Sequence, residues 1–378
     1  MTNILTVSTL YPSELLPHNG FSISKIADEL HKTGAVNQHI VVPYPDFPYL
    51  KKIINAYKQY DDQPEKINRK GINIYHPRYF SFPGGYFTER SAAMAKAIEP
   101  LVEAIKPDVI EGQSLYPAGL AAYIIAKEHN LPLIYTIRDA DPERWLDNKK
   151  IALKIIEAAD YARNIICETE MLKSTLLSYG FSEEKLTVIG NGIDNDHFNL
   201  SAPVNPLREK YFLSVGRLTM EKAHHVTLNA FAGIKKERLI IVGDGDQRRA
   251  LKKQAQDLGI KGRVQFIKHL EQSKLAEFYA GATATILMAY DEGMANTIHE
   301  SLATGTPVIA PDVGDLDKII NQKNGILLED NDDYQLMTAI KNIKKIDYDR
   351  EEISNSLSYE NWQEIAQKFL DTYRNTAP

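Results

Sequence analysis

Short apolar runs alternate with longer helical stretches along this 378-residue chain, and the alternation is built twice. Ile4 to Ser8, Asn37 to Pro43, Asp108-Val-Ile-Glu, Leu133-Ile-Tyr-Thr-Ile, Asn164-Ile-Ile-Cys and Leu186-Thr-Val-Ile form the first series. Tyr211-Phe-Leu-Ser-Val, Arg238-Leu-Ile-Ile-Val, Val264-Gln-Phe-Ile, Ala284-Thr-Ile-Leu-Met, Pro307-Val-Ile-Ala and Ile326-Leu-Leu form the second. Runs this short and this apolar read as strands buried on both faces, and helices between them make the sheet parallel. Helical patterns cover Phe21 to His31, Leu101 to Lys106 and Gly119 to His129. Tyr359 to Tyr373 is amphipathic, with Trp362, Ile365, Phe369 and Leu370 on related faces.

Two series predict two α/β domains. Gly, Pro, Asn and Asp break both patterns between Asn191 and Leu207. The expected organisation is a first domain over residues 1–190, a linker over 191–207, a second domain over 208–357 and a closing helix over 358–378. Open sheets of this kind take ligands at the carboxyl ends of their strands.

Composition narrows the function. With 43% hydrophobic residues the chain has material for two cores, and its formal net charge of -6 excludes a general nucleic-acid binder. A single cysteine, Cys167, excludes an internal disulfide and reads as buried core in a reducing compartment. The amino terminus has no basic segment followed by an apolar run, and no window approaches the roughly 20 apolar residues of a membrane span. The expectation is a cytoplasmic protein with at most weak peripheral contact at the inner membrane face. Residues 45–75 resist placement; Lys51-Lys-Ile-Ile-Asn-Ala-Tyr-Lys reads better as a solvated helix or loop than as a membrane-lying one, given Asp61, Asp62 and Glu65 nearby.

Two clusters carry chemistry. In Val215-Gly216-Arg217-Leu218 a strand ends in a glycine turn, and Lys222 follows five residues after the arginine. A planar guanidinium fork and a mobile ammonium on one loop suit a diphosphate. In Asp291-Glu292-Gly293-Met294-Ala295-Asn296-Thr297-Ile298-His299-Glu300 a strand feeds an acidic glycine loop and then a helix. Free amides at such a helix start form an anion site, and Asn296 and Glu300 share one helix face. A carboxylate there accepts hydrogen bonds from adjacent sugar hydroxyls. Asp-x-Asp occurs at Asp139/Asp141, Asp194/Asp196, Asp244/Asp246 and Asp315/Asp317, and turn aspartates account for so common a pattern. The expectation is no catalytic metal and no cofactor.

The combination Val215-Gly-Arg-Leu with Glu221-Lys222, Ile241-Val-Gly-Asp-Gly-Asp246, and Glu292-Gly-Met through Glu300-Ser-Leu-Ala-Thr-Gly-Thr-Pro-Val308 resembles the family-4 retaining glycosyltransferases. The likeness extends to Asn191-Gly-Ile-Asp194 with Phe198 and to Ser358-Tyr-Glu-Asn-Trp362, and is closest to transferases of bacterial surface polysaccharides. It implies the GT-B fold: two Rossmann-like domains facing across a cleft, with the closing helix returning to the first domain. It also implies transfer of a sugar from a nucleotide-diphosphate sugar, UDP slightly favoured over GDP, to a glycan or lipid-linked acceptor. By that likeness Arg217 and Lys222 neutralise the diphosphate, Glu300 binds the ribose and Glu292 lies near the transferred sugar. Gly293, Met294, Ala295, Asn296 and Thr297 offer amides to sugar and phosphate; Gly20 and Gly216 let backbone approach the donor, and the Lys268-His269-Leu270 loop meets the base.

Departures from the family fall on the acceptor side. Arg138 stands where many relatives have a histidine, so it either clamps a sugar or acceptor group or pairs with Asp139 or Asp141. The histidines that relatives carry near Glu111-Gly-Gln113 are replaced, and the usual glycine after Lys222 is Ala223. A nucleotide-sugar epimerase or hydrolase of the same architecture, or a non-catalytic nucleotide-sugar-binding subunit, are the alternative readings.

Overall fold

The structure, a computed structural model, describes residues 1–13, 19–46, 64–80, 87–138, 142–204, 210–290 and 296–377. The chain divides into two compact units: Met1–Asn191 with Trp362–Pro378, and Gly192–Asn361.

The first unit runs β1 (Thr2–Val7), α1 (Phe21–Thr33), β2 (Val36–Val41), β3 (Tyr44–Asp46), β4 (Lys66–Arg69), β5 (Ile72–Tyr75), β6 (Arg78–Phe80), α2 (Phe87–Ile105), β7 (Val109–Gln113), α3 (Ala118–Glu128), β8 (Leu133–Ile137), α4 (Glu143–Leu146), α5 (Lys149–Tyr161), β9 (Asn164–Cys167), α6 (Glu170–Ser178) and β10 (Leu186–Val188). Its main sheet has the order β10-β9-β8-β7-β1-β2-β5-β4, parallel except for the β4–β5 pair. β3 and β6 pair separately. All the first-series runs become strands here, whereas β3 to β6 were not foreseen. Their segments are only three or four residues long, which is too little pattern to separate from loop. The basic segment from Lys51 to Lys58 lies outside the described residues.

Successive residues of a strand point to opposite faces, and both faces of this sheet are covered. Leu5, Ile110, Leu133, Tyr135, Ile165 and Cys167 pack on the side of α2, α3 and α5. Ile4, Val109, Ile134 and Ile166 face the other side, where Ile26 and Leu30 of α1 meet the last helix of the chain, Trp362–Thr376. Trp362, Ile365, Phe369 and Tyr373 of that helix are buried, so it completes the first unit's core.

A polar anchor fixes its seat. The buried carboxylate of Glu111 accepts hydrogen bonds from Thr6 Oγ1 (2.7 Å), Thr136 Oγ1 (2.7 Å), Gln113 Nε2 (2.9 Å) and Tyr373 OH (3.0 Å). Four donors satisfy a charge that burial otherwise penalises heavily. Burial and the Glu111 charge push the Tyr373 hydroxyl well above its usual range, so it stays a donor. Tyr373→Phe is expected to cost about 1–3 kcal/mol, the range for unsatisfying one buried partner, measured by urea unfolding.

The second unit runs β11 (Tyr211–Val215), α7 (His224–Ala232), β12 (Arg238–Val242), α8 (Arg248–Asp257), β13 (Val264–Ile267), α9 (Gln272–Gly281), β14 (Ala284–Ile286), α10 (Asn296–Ala303), β15 (Val308–Pro311), α11 (Leu316–Ile319), β16 (Gly325–Leu328), α12 (Asp333–Ile343) and α13 (Arg350–Ser354). Its six strands form a wholly parallel sheet in the order β13-β12-β11-β14-β15-β16. The order turns between β11 and β14, and the ligand crevice of such a sheet lies at that switch. Residues 192–204 pack into this unit: Phe198 is buried against Tyr279, and Ile193 bridges to Asn361. α14 (Trp362–Thr376) then belongs to the first unit. Among the described residues no helix is long and apolar enough to cross a membrane.

Candidate active site

Three adjacent parallel strands of the second unit end on one edge, so the loops after β11, β12 and β13 lie side by side. The loop after β11 holds Gly216, Arg217 and Lys222. Its backbone is held by its neighbour: Gly216 N–H donates to Val242 O (3.0 Å), Leu218 N–H to Asp244 O (2.9 Å), and Gln247 N–H back to Leu218 O (2.9 Å). This proximity explains the Gly243-Asp-Gly245 pattern. A Cβ on Gly243 would lie 1.9 Å from Gly216 O, and one on Gly245 2.4 Å from Leu218 O. The two glycines are therefore a packing device that lets one loop brace another. Gly216 itself has room, since the nearest atom to a Cβ there is 3.7 Å away.

Arg217 is exposed and Lys222 half-buried. Glu221 lies near both: the neighbouring Thr219 hydroxyl and the Glu221 backbone hold its carboxyl below the usual range, with the Arg217 and Lys222 charges adding to the effect. Ala223 sits at φ 40° and caps α7 with its methyl fully buried. It adopts the left-handed conformation without being the residue best suited to it.

The loop after β13 contains Lys268, which pairs with Asp244 (3.3 Å), then His269, exposed, and Leu270, half-buried against the core. Asn296 and Thr297 open α10, and Thr297 Oγ1 donates to Val215 O (3.4 Å), tying that helix to the end of β11. One turn later Glu300 accepts from Tyr279 OH of α9 (3.0 Å). Its carboxyl is raised to about 7, chiefly by burial and also by the nearby Asp194 charge, with the Tyr279 bond opposing. Gly216, Arg217, Thr297 and Glu300 are thus joined through one set of loop and helix contacts. Glu292, Gly293, Met294 and Ala295 lie outside the described residues.

Two predicted residues belong to the first unit. Gly20 precedes α1 at φ 67°, and a Cβ there would lie 2.6 Å from Leu10 O, so the fold already demands glycine. Arg138 donates through Nη1 to Glu168 Oε1 (3.0 Å) and Asn191 Oδ1 (2.7 Å), with its guanidinium 5.8 Å above the Phe369 ring. The ion pair it makes is with Glu168; Asp139 and Asp141 lie outside the described residues.

Sequence reasoning missed four contributors: Tyr279, Asp194 in its effect on Glu300, Glu168 and His224. The first three act across 21 to 106 residues of chain, and no local pattern marks them. His224 had a local signal, a histidine opening a helix two residues after Lys222.

A cavity of about 790 Å³ opens elsewhere on the second unit, among Arg238, Lys252, Lys261 and Arg263. It lies where β12 and β13 begin, at the opposite ends of the strands from the cluster above.

Comparison with known proteins identifies the family and the fold. Residues 196–360 match the family described as glycosyl transferases group 1, and residues 26–197 match glycosyltransferase family 4. The chain belongs to the family-4 glycosyltransferases, and it is a glycosyltransferase with the GT-B fold. It is 23% identical to the teichuronic acid biosynthesis glycosyltransferase TuaC of Bacillus subtilis, over 98% of this chain and 95% of that protein. Sucrose-phosphate synthase from Thermosynechococcus elongatus superimposes with a TM-score of 0.80 at 18% identity, covering 99% of each chain. HepE of Anabaena in complex with UDP superimposes with a TM-score of 0.73 at 18% identity, covering 99% of this chain and 100% of that one.

Proposed function

We propose that this protein transfers a sugar, with retention and without a metal, from a nucleotide-diphosphate sugar to a glycan or lipid-linked acceptor in polysaccharide biosynthesis. The observation that carries the reading is the braced loop bearing Arg217 and Lys222, bonded through Val215 to the helix bearing Glu300. Two cations beside an immobilised turn suit a diphosphate, and a part-buried carboxyl one helix away suits the two hydroxyls of a ribose. UDP is favoured because HepE, which shares the fold, was solved with it. The name of TuaC supports a surface-polysaccharide product.

In this reading the leaving diphosphate helps take the proton of the incoming hydroxyl on the same face, so no enzyme nucleophile is required. The protein supplies position and charge, with Arg217 and Lys222 as the counter-charge of the leaving group. Glu292 and the amides of residues 293–297 take the transferred sugar and phosphates, Gly20 and Gly216 the close backbone approaches, and His269 and Leu270 the base. The Glu168 pair favours Arg138 as a positioning group of the first unit over a direct contact with substrate.

The test is thermal stability with UDP, GDP, ADP or TDP, each with a chelator. A nucleotide at about 100 times its dissociation constant stabilises by roughly 2.7 kcal/mol, and Arg217→Ala or Glu300→Ala should abolish the shift. The effect should also depend on pH. Ribose hydroxyls donate to the ionised carboxylate, so binding should strengthen as pH rises through about 7, where the Glu300 carboxyl titrates. Linkage runs oppositely for the empty protein: a raised carboxyl favours the fold at low pH, and that contribution is lost as pH rises toward 7. Nucleotide stabilisation should therefore grow between pH 6 and 8, roughly following this linkage, and more in the wild type than in Glu300→Gln, which isolates it from titration of the nucleotide's own phosphate. Failure of all four nucleotides to shift stability, or a shift indifferent to both substitutions, would remove the donor site from this loop.

A further inference from the structure

His224 contacts the predicted phosphate loop from below. Its ring is buried, with Nδ1 3.2 Å from Ser214 Oγ on β11 and Nε2 3.2 Å from the carbonyl oxygen of Arg217. A carbonyl only accepts, so Nε2 must carry the proton, and Nδ1 is then a bare acceptor for the Ser214 hydroxyl. The chain of bonds has one sense: Ser214 to His224 to Arg217. Burial lowers the imidazole to about 4, so the ring is neutral at ordinary pH and this tautomer persists.

The consequence falls on a single peptide unit. The C=O of Arg217 accepts from His224 and, within the turn, from the Thr219 N–H (3.0 Å), so His224 is its one side-chain donor; the N–H of the same unit, on Leu218, donates to Asp244 O. Held at both ends, the 217–218 peptide cannot rotate without breaking a buried bond. The Arg217 Cα therefore has a fixed position and direction, although its side chain is exposed. An exposed arginine on a free loop loses backbone as well as side-chain freedom when it grips an anion; here the backbone share is already spent in folding.

We propose that His224 is a positioning residue for donor binding, aiming Arg217 at the diphosphate by holding its carbonyl. The proposal rests on the reading of Arg217 as a phosphate ligand, and the experiment separates the two. Affinities for UDP and UMP are measured by calorimetry for the wild type, His224→Ala, His224→Gln, Arg217→Ala and the Arg217→Ala/His224→Ala pair. If the nucleotide screen selects another base, its diphosphate and monophosphate are used.

His224→Ala should weaken UDP about five- to tenfold, the worth of one buried hydrogen bond, and UMP less than about twofold. His224→Gln, whose amide N–H reaches the same carbonyl, should restore most of the UDP affinity. In the Arg217→Ala background, removing His224 should change UDP binding less than about twofold, because the residue it aims is gone. Equal losses for UDP and UMP, or an undiminished His224 effect without Arg217, would overturn the proposal and leave His224 a plain core group. A wild type that binds UDP no better than UMP would instead sink the reading of Arg217, and this inference with it. Should His224→Ala fail to fold, His224→Gln and a Ser214→Ala variant, which frees the tautomer, carry the same comparison.

Discussion

Replacing Arg217 by alanine should slow sugar transfer on the order of 10²- to 10³-fold, with Lys222→Ala falling in the same range. The size follows from where the charge is needed. As the sugar departs, negative charge builds on the diphosphate, and the protein must meet it with groups that need no reorganisation. The loop is held from three sides, by Val242 O, by Asp244 O and by His224, so the backbone that carries the cation is already placed. Most of the loss should appear in kcat, because charge on the diphosphate is greatest as the bond breaks. Arg217→Lys keeps the charge and loses the planar fork, and should recover only part of the rate. Steady-state turnover with a soluble acceptor, or donor hydrolysis in its absence, reads the effect. A loss under about threefold in both variants would mean that the leaving group is stabilised elsewhere, since one oxyanion donor is worth far more.

Phe369→Ala should destabilise the first unit by about 3–5 kcal/mol, the range for emptying a large aromatic site from a core. Phe369 is only 1% exposed and lies among Ile4, Val109, Ile134 and Ile166 on the sheet's second face. Its ring also supports the Arg138 guanidinium, so the cavity would loosen the ion pair with Glu168. In urea unfolding the first unit's transition should move to lower denaturant. Nucleotide binding, which the proposed site places on the second unit, should persist until that unit melts. A change under 1 kcal/mol would mean that α14 contributes little to this core.

The two sheets were legible because buried parallel strands announce themselves locally, as apolar runs spaced by helices. The proposed phosphate loop stands out for a related reason: Val215-Gly216-Arg217 and Lys222 lie within one strand-turn-helix and need no distant partner to be noticed. Partners set by strand order could not be read. Glu300 showed its helix position but not Tyr279, which only the placement of α9 beside α10 brings to it. Arg138 was weighed against its sequence neighbours, yet its carboxylate comes from the end of β9. Glu111 was noticed only for lacking the family's histidine, whereas the fold uses it as the anchor of a helix 262 residues further along the chain. Local periodicity reports which face is buried; it carries no address for what will cover that face.

The discontinuity of the first unit has a consequence for how the chain is made. Translation delivers β1 to β10 first, yet the face carrying Ile4, Val109, Ile134 and Ile166 stays partly bare until Trp362 to Tyr373 emerge. The second unit is contiguous and can close its own core in the interval. The half synthesised earliest is therefore the last to finish, and it waits with an apolar sheet surface open to stray association. A ribosome that stalls anywhere between the two units' crossings would release a chain unable to complete its first domain.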